Sequence, residues 1–273
     1  MLAVVKKLGV FSLAFGTQIA LAGGGWSDDP EIDRIRRDEN SVYIKTIGNW
    51  FVAIGGGAQQ IKPDATLIVE NGSGFPAPYN LDQYSTNKKN AAQLALEAGY
   101  HWSNNQFWFP AYQIGLRYHA LFPANIGGQV TQYSLGEFTN YDYSWKLSSN
   151  VLLASAKLDL LSCYQLQPYF RGGVGLAINR ASSYSETALA NVTPRISPAF
   201  ANDNEYSFAY NLGVGLDWAA SQNIQINAGY DYLNMGSMQS GDGQDTWSGT
   251  ALHAGGYDSH MVYLGLTYLI PPY

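Results

Sequence analysis

The chain has 273 residues, a length that one large all-β domain can account for. Charged residues make up 13% of the chain and aromatic residues 14%. Soluble domains average about 25% charged residues, so this composition argues against a typical soluble enzyme and, with so many aromatics, against disorder. The formal net charge of −6 leaves no basic surface of the kind that binds nucleic acid.

The N-terminus resembles a secretory signal peptide over residues 1–22. Two lysines precede a short apolar run, and the segment ends in a small-x-small cleavage site, Ala-Leu-Ala. The alternative is a membrane-spanning helix, which needs about 20 apolar residues; this run is shorter and contains Gln18. We therefore expect export and cleavage after Ala22. The mixed-charge segment that follows, 23–48, is expected to be a solvated periplasmic leader.

From Trp50 onward, apolar residues alternate with small or polar ones, a pattern typical of strands with two unlike faces. YSFAYNLGVGLDW, residues 206–218, alternates without a break, and YFRGGVGLAIN places Phe170 and Leu176 on one parity and Arg171 on the other. Eight segments show the same period: 50–60, 91–103, 111–122, 150–161, 168–179, 206–218, 223–235 and 260–270.

The connections between these segments alternate between long and short. Short turns follow the second, fourth and sixth segments, and stretches of roughly 24 to 30 residues follow the first, third, fifth and seventh. In the second of these stretches GQVTQYS and YDYSWKL still alternate, so the third and fourth strands are expected to extend beyond the membrane as a hairpin. This rhythm of long and short connections places every long connection at one end of an antiparallel sheet. The sequence therefore predicts an all-β fold over 49–273: an eight-stranded antiparallel transmembrane β-barrel with four long extracellular loops and short periplasmic turns.

A soluble lipocalin-like barrel also alternates, with its apolar residues facing inward. The composition of the polar set distinguishes the two kinds of barrel. A water-facing surface would be rich in Lys and Glu, whereas here the polar set is mostly Gly, Ala, Ser, Gln and Asn. Its few charges nearly cancel, which suits a narrow interior where buried ions must pair. We predict a lumen charge network of seven residues: Glu97, Arg117, Lys157, Asp159, Arg171, Asp217 and Asp231.

Large aromatic residues lie on the apolar parity near the strand ends. An indole or phenol with an apolar body and a polar tip suits a lipid–water boundary. At the short-turn end we predict an aromatic girdle of Trp50, Trp102, Trp108, Trp218 and Tyr268. Candidates for the opposite girdle are Tyr118, Phe122, Phe208, Tyr230 and Tyr232.

The C-terminal MVYLGLTYLIPPY places Tyr268 three residues and Ile270 five residues after Gly265. This resembles the terminal-strand signal by which bacterial outer-membrane proteins are recognised for barrel insertion. The usual last residue is Phe, whereas Pro271, Pro272 and Tyr273 extend the chain here.

Signal peptide, alternating segments, loop order and terminal strand together resemble the small outer-membrane β-barrel family, which includes the OmpA transmembrane domain and opacity-type surface proteins. The resemblance covers residues 50–270. It implies a location in the outer membrane of a Gram-negative-type bacterium, with outer-membrane lipid or lipopolysaccharide and the barrel-assembly machinery as partners. It does not imply one activity, because the fold hosts many.

The sequence offers little evidence for a catalytic, metal-binding or cofactor-binding site. The four histidines, His101, His119, His253 and His260, lack the HxxxH spacing of a helical metal site. Ser259 and His260 suggest a hydrolase, but adjacent strand residues point to opposite faces. GGVGLA lacks the third glycine and the helix of a dinucleotide-binding motif. We predict no catalytic residue, no metal and no cofactor.

Three functions are compatible with these features. The favoured hypothesis is a non-enzymatic barrel that stabilises the envelope and presents its loops, with Tyr143, Trp145 and Trp247, to a host surface or a phage. The alternatives are a small porin-like channel for ions or small solutes and, third, a barrel-type lipid-modifying enzyme.

Overall fold

The computed structural model describes residues 46–63 and 66–271 of the chain. The expected signal peptide, its cleavage site and nearly all of the expected leader lie outside these residues. Within the described ranges, no helix combines the length and the apolar character needed to cross a bilayer.

Ten antiparallel strands make up the described part of the chain, confirming the all-β prediction. The strands are β1 (Ile47–Lys62), β2 (Thr66–Glu70), β3 (Leu81–Ser85), β4 (Lys89–Ser103), β5 (Trp108–Thr131), β6 (Thr139–Leu161), β7 (Leu166–Ala188), β8 (Asp203–Ala219), β9 (Ile224–Gln239) and β10 (His253–Ile270). Eight of them close into a ring in the order β1, β4, β5, β6, β7, β8, β9 and β10, and β10 pairs back with β1.

The two parities of each ring strand face opposite sides of the wall. In β8, Leu212 and Leu216 are about half exposed, at 49% and 50%, while Asn211 and Asp217 are buried. The apolar residues thus cover the outside of the ring and the polar ones fill its lumen. This is the arrangement of a barrel in lipid, because a soluble barrel would bury the apolar set.

The ring strands are longer than the eight alternating segments, and β5 and β6 extend as the hairpin that the alternation in the second connection predicts. β5 and β6 stay paired up to Thr131 and Thr139, and the connection between them is residues 132–138. The expected lengths of 24 to 30 residues are therefore wrong for this connection and for 189–202 and 240–252. A membrane-crossing strand needs only 9–11 residues, so the longer strands continue beyond the bilayer.

The first connection, between β1 and β4, contains the small hairpin β2–β3. β3 pairs with the far end of β5 through Gln83–Thr131 and Tyr84–Val130. Leu67 and Val69 of β2 are buried in one hydrophobic cluster with residues from the extended barrel wall. We call this cluster the apolar cap. The hairpin therefore forms part of a packed layer over the long-loop end of the barrel.

Candidate functional site: the filled lumen and its cap

All seven residues of the expected lumen charge network point into the barrel, and each is at most 6% exposed. They form two groups. In the first, Arg117 donates from Nη1 to Glu97 Oε2 and from Nη2 to Asp231 Oδ2, each at 3.2 Å. Arg171 Nη2 lies 3.4 Å from the same Glu97 oxygen. Glu97 thus joins two arginines, its cross-strand neighbour Arg117 on β5 and Arg171 on β7.

The second group is centred on Lys157. Its ammonium donates to Asp217 and lies 3.6 Å from Asp159 Oδ1. Both carboxylates and the ammonium are essentially inaccessible to solvent. Such charges persist in a low-dielectric interior only when they are paired, because leaving one unpaired costs several kcal/mol.

Two tyrosines that the sequence analysis did not select join these groups. The hydroxyls of Tyr169 and Tyr263 are hydrogen-bonded to each other, and Arg171 Nη1 donates to Tyr263 at 3.1 Å. Lys157 lies 4.8 Å from the Tyr169 ring centre, and Arg117 lies 5.1 Å from that of Tyr263, both within cation–π range. The alternation of the sequence predicts that both tyrosines point inward. It cannot predict their partners, which come from other strands of the barrel.

Inward glycines make the room that these tyrosines occupy. A Cβ atom at Gly229 would lie 2.6 Å from the Tyr169 hydroxyl and 2.8 Å from that of Tyr263. Gly215, the cross-strand partner of Gly229, also lies against Tyr169. The alternation of glycine with apolar residues therefore has two causes. The apolar residues face lipid, and the glycines leave space inside the barrel for a bulky aromatic ring.

Two buried histidines extend the polar layer. Arg117 Nε donates to His119 Nε2 at 3.0 Å, and His101 Nδ1 is 3.1 Å from Gln113 Nε2. They serve as hydrogen-bonding partners of lumen residues. Among the described residues, no group of three or more His, Cys, Asp and Glu side chains is arranged to hold a metal ion.

The space left inside this layer is small. A cavity of about 10 Å³ is lined by Glu97, Arg117, Arg171, Asn227 and Tyr263. One water molecule needs about 10–15 Å³. The cavity among these charge pairs therefore has room for about one water molecule.

Above the polar layer the interior becomes apolar. Val151, Leu153, Leu233 and Met261 are fully buried and belong to the apolar cap. Tyr143 and Trp145, expected to be loop residues available to an external ligand, are 3% and 1% exposed in the same cluster. That expectation is wrong, because both residues lie on the inward face of the extended strand β6 and their side chains are buried in the apolar cap.

Arg195 links several of the segments that cover the apolar cap. Arg195 donates from Nε and Nη2 to the two carboxylate oxygens of Glu186 at 2.7 and 3.0 Å, and its Nη1 is 3.9 Å from Asp82 Oδ2. The guanidinium also lies 4.4 Å from the ring centre of Tyr141 and 4.9 Å from that of Trp247. Arg195 thereby holds β3, β7 and the last connection together.

Phenol groups surround this ion pair. Tyr184 donates to Glu186, and the Tyr84 hydroxyl is 3.5 Å from the same oxygen, Oε1. Burial raises the pKa of both Tyr84 and Tyr184, and the Glu186 carboxylate raises it further. The two hydroxyls consequently remain protonated donors over the ordinary pH range.

The expected girdle residues lie on the outside of the ring at the short-turn end. Trp50 is 63% and Trp108 61% exposed, and Trp102 stacks on Tyr112 with ring centres 5.0 Å apart. Trp218 and Tyr268 are also exposed there, close to the β8–β9 turn. On the opposite side of the outward apolar band, Tyr118, Phe122, Phe208 and Tyr230 are exposed, and Tyr232 packs against His260.

The last strand places its notable residues on separate faces. Ser259 is buried in the lumen and donates to Gln59 Oε1 at 3.0 Å, whereas His260 stacks on Tyr230 outside the wall. The two therefore do not come together. Gly265 pairs with Gly55 of β1, and Ile270 pairs with Trp50.

Residues 50–268 match the model of the outer membrane protein beta-barrel domain family. The chain belongs to this family. The predicted family, the antiparallel barrel fold and the location in the outer membrane are thereby confirmed, and the exposed apolar band is the lipid-facing surface. No curated protein matches the chain in sequence.

Three solved structures are similar to the chain. Neisserial surface protein A has 12% identity, over 83% of this chain and 99% of that one, with a TM-score of 0.42. OprG of Pseudomonas aeruginosa has 16% identity, over 81% of this chain and 96% of that one, with a TM-score of 0.47. Ail, the attachment invasion locus protein of Yersinia pestis, has 16% identity, over 81% of this chain and 99% of that one, with a TM-score of 0.31. At these identities the likeness concerns the fold alone.

Proposed function

We propose that this protein is a closed, non-enzymatic barrel that stabilises the outer membrane and presents its outer loops to the surroundings of the cell. The observation that carries the proposal is the double closure of the lumen. A paired polar layer fills the periplasmic half, with room for about one water, and the apolar cap fills the other half. A solute would have to break ion pairs and then cross a dry hydrophobic layer.

Planar-bilayer recording tests the closure. Pure protein, refolded in detergent and checked by heat-modifiability on a gel, is expected to produce no conductance above the background of a protein-free bilayer. Discrete conductance steps from the refolded protein would overturn the proposal in favour of the porin-like channel.

The presentation of the loops needs a test on cells. Protease shaving of intact cells is expected to cut within the connections 71–80, 132–138, 189–202 and 240–252 and to leave the ring strands intact. If removing the tips of all four connections left adhesion to host cells and phage adsorption unchanged, the loops would have no binding role.

The non-enzymatic part of the proposal is supported by the last strand. Ser259 is enclosed in the lumen and His260 faces outward, so the two cannot act on one substrate. Overexpression is expected to leave the mass spectrum of lipid A unchanged, and a new acylation state would contradict this.

Lipid and the assembly machinery are the partners that we propose for the wall itself. Trp50 and Trp108 would lie at the periplasmic lipid–water boundary, and Gly265, Tyr268 and Ile270 would be read during insertion. Replacing Tyr268 with Ser is expected to lower the amount of heat-modifiable barrel in the outer membrane, with Tyr164→Ser in the β6–β7 turn as the control. Equal amounts for both variants would argue against a signal at Tyr268.

A further inference from the structure

The outermost surface of the barrel carries an open aromatic cleft that the closure of the lumen does not explain. Phe75, Tyr79, Tyr133, Leu135 and Phe138 line it, and its volume is about 410 Å³. We call it the tip cleft. Phe75 is 58%, Tyr79 44% and Phe138 42% exposed. A group of large aromatic side chains exposed together outside the membrane is typical of an interaction site, whereas single exposed apolar residues are not.

The rings of the tip cleft stand at steep angles to one another. Phe75 and Tyr133 have centres 6.1 Å apart and planes at 77°, and Tyr133 and Phe138 have centres 5.9 Å apart and planes at 82°. Both pairs are therefore edge-to-face contacts, and the three rings lie around one space. A cation that enters this space can lie on a ring face, which carries partial negative charge.

One buried carboxylate holds the two sides of the cleft in place. Asp82 Oδ1 accepts from Asn71 Nδ2 and from the backbone N–H of Tyr133, each at 3.0 Å, and Asn71 also donates to the carbonyl of Tyr79 at 3.2 Å. Ser134 donates to the carbonyl of Leu81 at 3.1 Å. The cleft is thus formed before any ligand arrives, which lowers the entropic cost of binding.

The two segments that form the cleft carry charge of one sign. Residues 66–85 and 129–143 contain four acids and no Lys, Arg or His. Asp82 is the buried anchor and lies 3.9 Å from Arg195 Nη1, whereas the other three, Glu70, Glu137 and Asp142, are exposed. Glu137 lies between Leu135 and Phe138 in the chain. The surface is therefore complementary to a positively charged ligand.

We propose that the tip cleft binds an arginine- or lysine-bearing extended segment of a partner protein outside the cell. The basic group would lie on the aromatic faces, its methylene stem would pack against Leu135 and Phe138, and Glu137 would meet its charge. A lipid headgroup of the choline type is less well matched, because its phosphate would meet the negative charge of Glu137 and neither segment offers a basic side chain to pair with it. This inference rests on the proposed presentation of the loops and names the kind of ligand that they take.

A defined peptide tests the chemistry. The full chain in nanodiscs of zwitterionic lipid is titrated with labelled acetyl-Leu-Arg-Leu-Arg-amide, and binding is followed by fluorescence anisotropy. The same peptide with citrulline in place of arginine keeps the shape and removes the charge. We expect saturable binding of the arginine peptide, affinity at least about 10-fold weaker for the citrulline peptide, and weaker binding as salt is added.

Substitutions locate the site. Glu137→Gln and Phe138→Ala are each expected to weaken binding of the arginine peptide about 2- to 5-fold, the effect of losing one exposed charge pair or one cation–π contact. Matched controls are Asp242→Asn, an exposed acid of the last connection, and Tyr164→Ala at the periplasmic end, and both are expected to bind as the parent does. All four positions are exposed, so heat-modifiability is expected to show a folded barrel for every variant.

Several outcomes would overturn the proposal. Equal affinity for the two peptides would make the cleft a purely apolar site, and tighter binding of phosphocholine than of the arginine peptide would assign it to a lipid headgroup. Absence of saturable peptide binding, or equal losses in the control variants, would remove the site altogether. None of these results bears on the bilayer recording or on loop-dependent adhesion, so failure of this inference is distinguishable from failure of the proposed function.

Discussion

Replacing Lys157 with methionine tests whether charge balance holds the lumen together. Lys157 is the one cation of its group and faces two acids, Asp159 and Asp217. Methionine keeps much of the side-chain volume and removes the ammonium. Two carboxylates that are 0–1% exposed would then lie together without a counter-charge.

The size of the effect follows from this imbalance. Removing one partner of a buried ion pair costs about 3–5 kcal/mol, because the remaining charge stays desolvated. Replacing Asp217 with asparagine instead leaves Lys157 paired with Asp159 and still facing a hydrogen-bond acceptor, so its cost is expected to be about 1–2 kcal/mol. The prediction is therefore an asymmetry between two single substitutions in one cluster, with the lysine variant the less stable by about 2 kcal/mol or more.

Urea unfolding of the barrel in phospholipid vesicles, followed by tryptophan fluorescence and by heat-modifiability, measures both free energies. Lys89→Met, at an exposed site at the start of β4, is the matched control and is expected to leave the midpoint almost unchanged. The slope of the free energy with urea should be the same for all variants, because the same surface unfolds. Equal losses for Lys157→Met and Asp217→Asn, or a larger loss for the asparagine variant, would refute the reasoning.

Three further predictions concern packing, the cap and pH. Gly229→Ala is expected to destabilise the barrel by about 1–3 kcal/mol in the same urea assay, because its methyl group would overlap the two lumen tyrosine hydroxyls; Gly136→Ala, which meets nothing within 4 Å, should cost far less. Arg195→Met removes the cation between two carboxylates and is expected to speed proteinase K cleavage of the connections on intact cells while heat-modifiability stays unchanged; unchanged cleavage would exclude a role in holding the cap. Because burial raises the pKa of the Tyr184 hydroxyl above the usual value of about 10, its contribution to stability is complete below that pH and is lost above it. The cap should therefore loosen above about pH 10 by intrinsic fluorescence, and Tyr184→Phe should weaken this pH dependence, whereas an identical alkaline transition in the variant would contradict the assignment.

The orientation of side chains in the wall was predictable from the sequence because a strand has a period of two. Once Leu212 and Leu216 are taken to face lipid, Asp217 has to face the lumen. Local pattern cannot show which acid pairs with which base, since Arg117 and Asp231 are brought together only by closure of the ring. For the same reason the roles of Tyr169 and Tyr263 were not predictable, although their inward parity was.

What the sequence by itself determined is therefore the alternation, and with it the lipid-facing and lumen-facing sides of eight strands. The alternation also predicted that β5 and β6 extend beyond the bilayer as a hairpin, but tertiary structure alone decided that Tyr143 and Trp145 are buried there in the cap. It also decided that Phe75 and Phe138, far apart in the chain, border one cleft. The physical reason is that strand parity is a local property of the backbone, whereas closure, burial and charge pairing depend on contacts between residues distant in sequence.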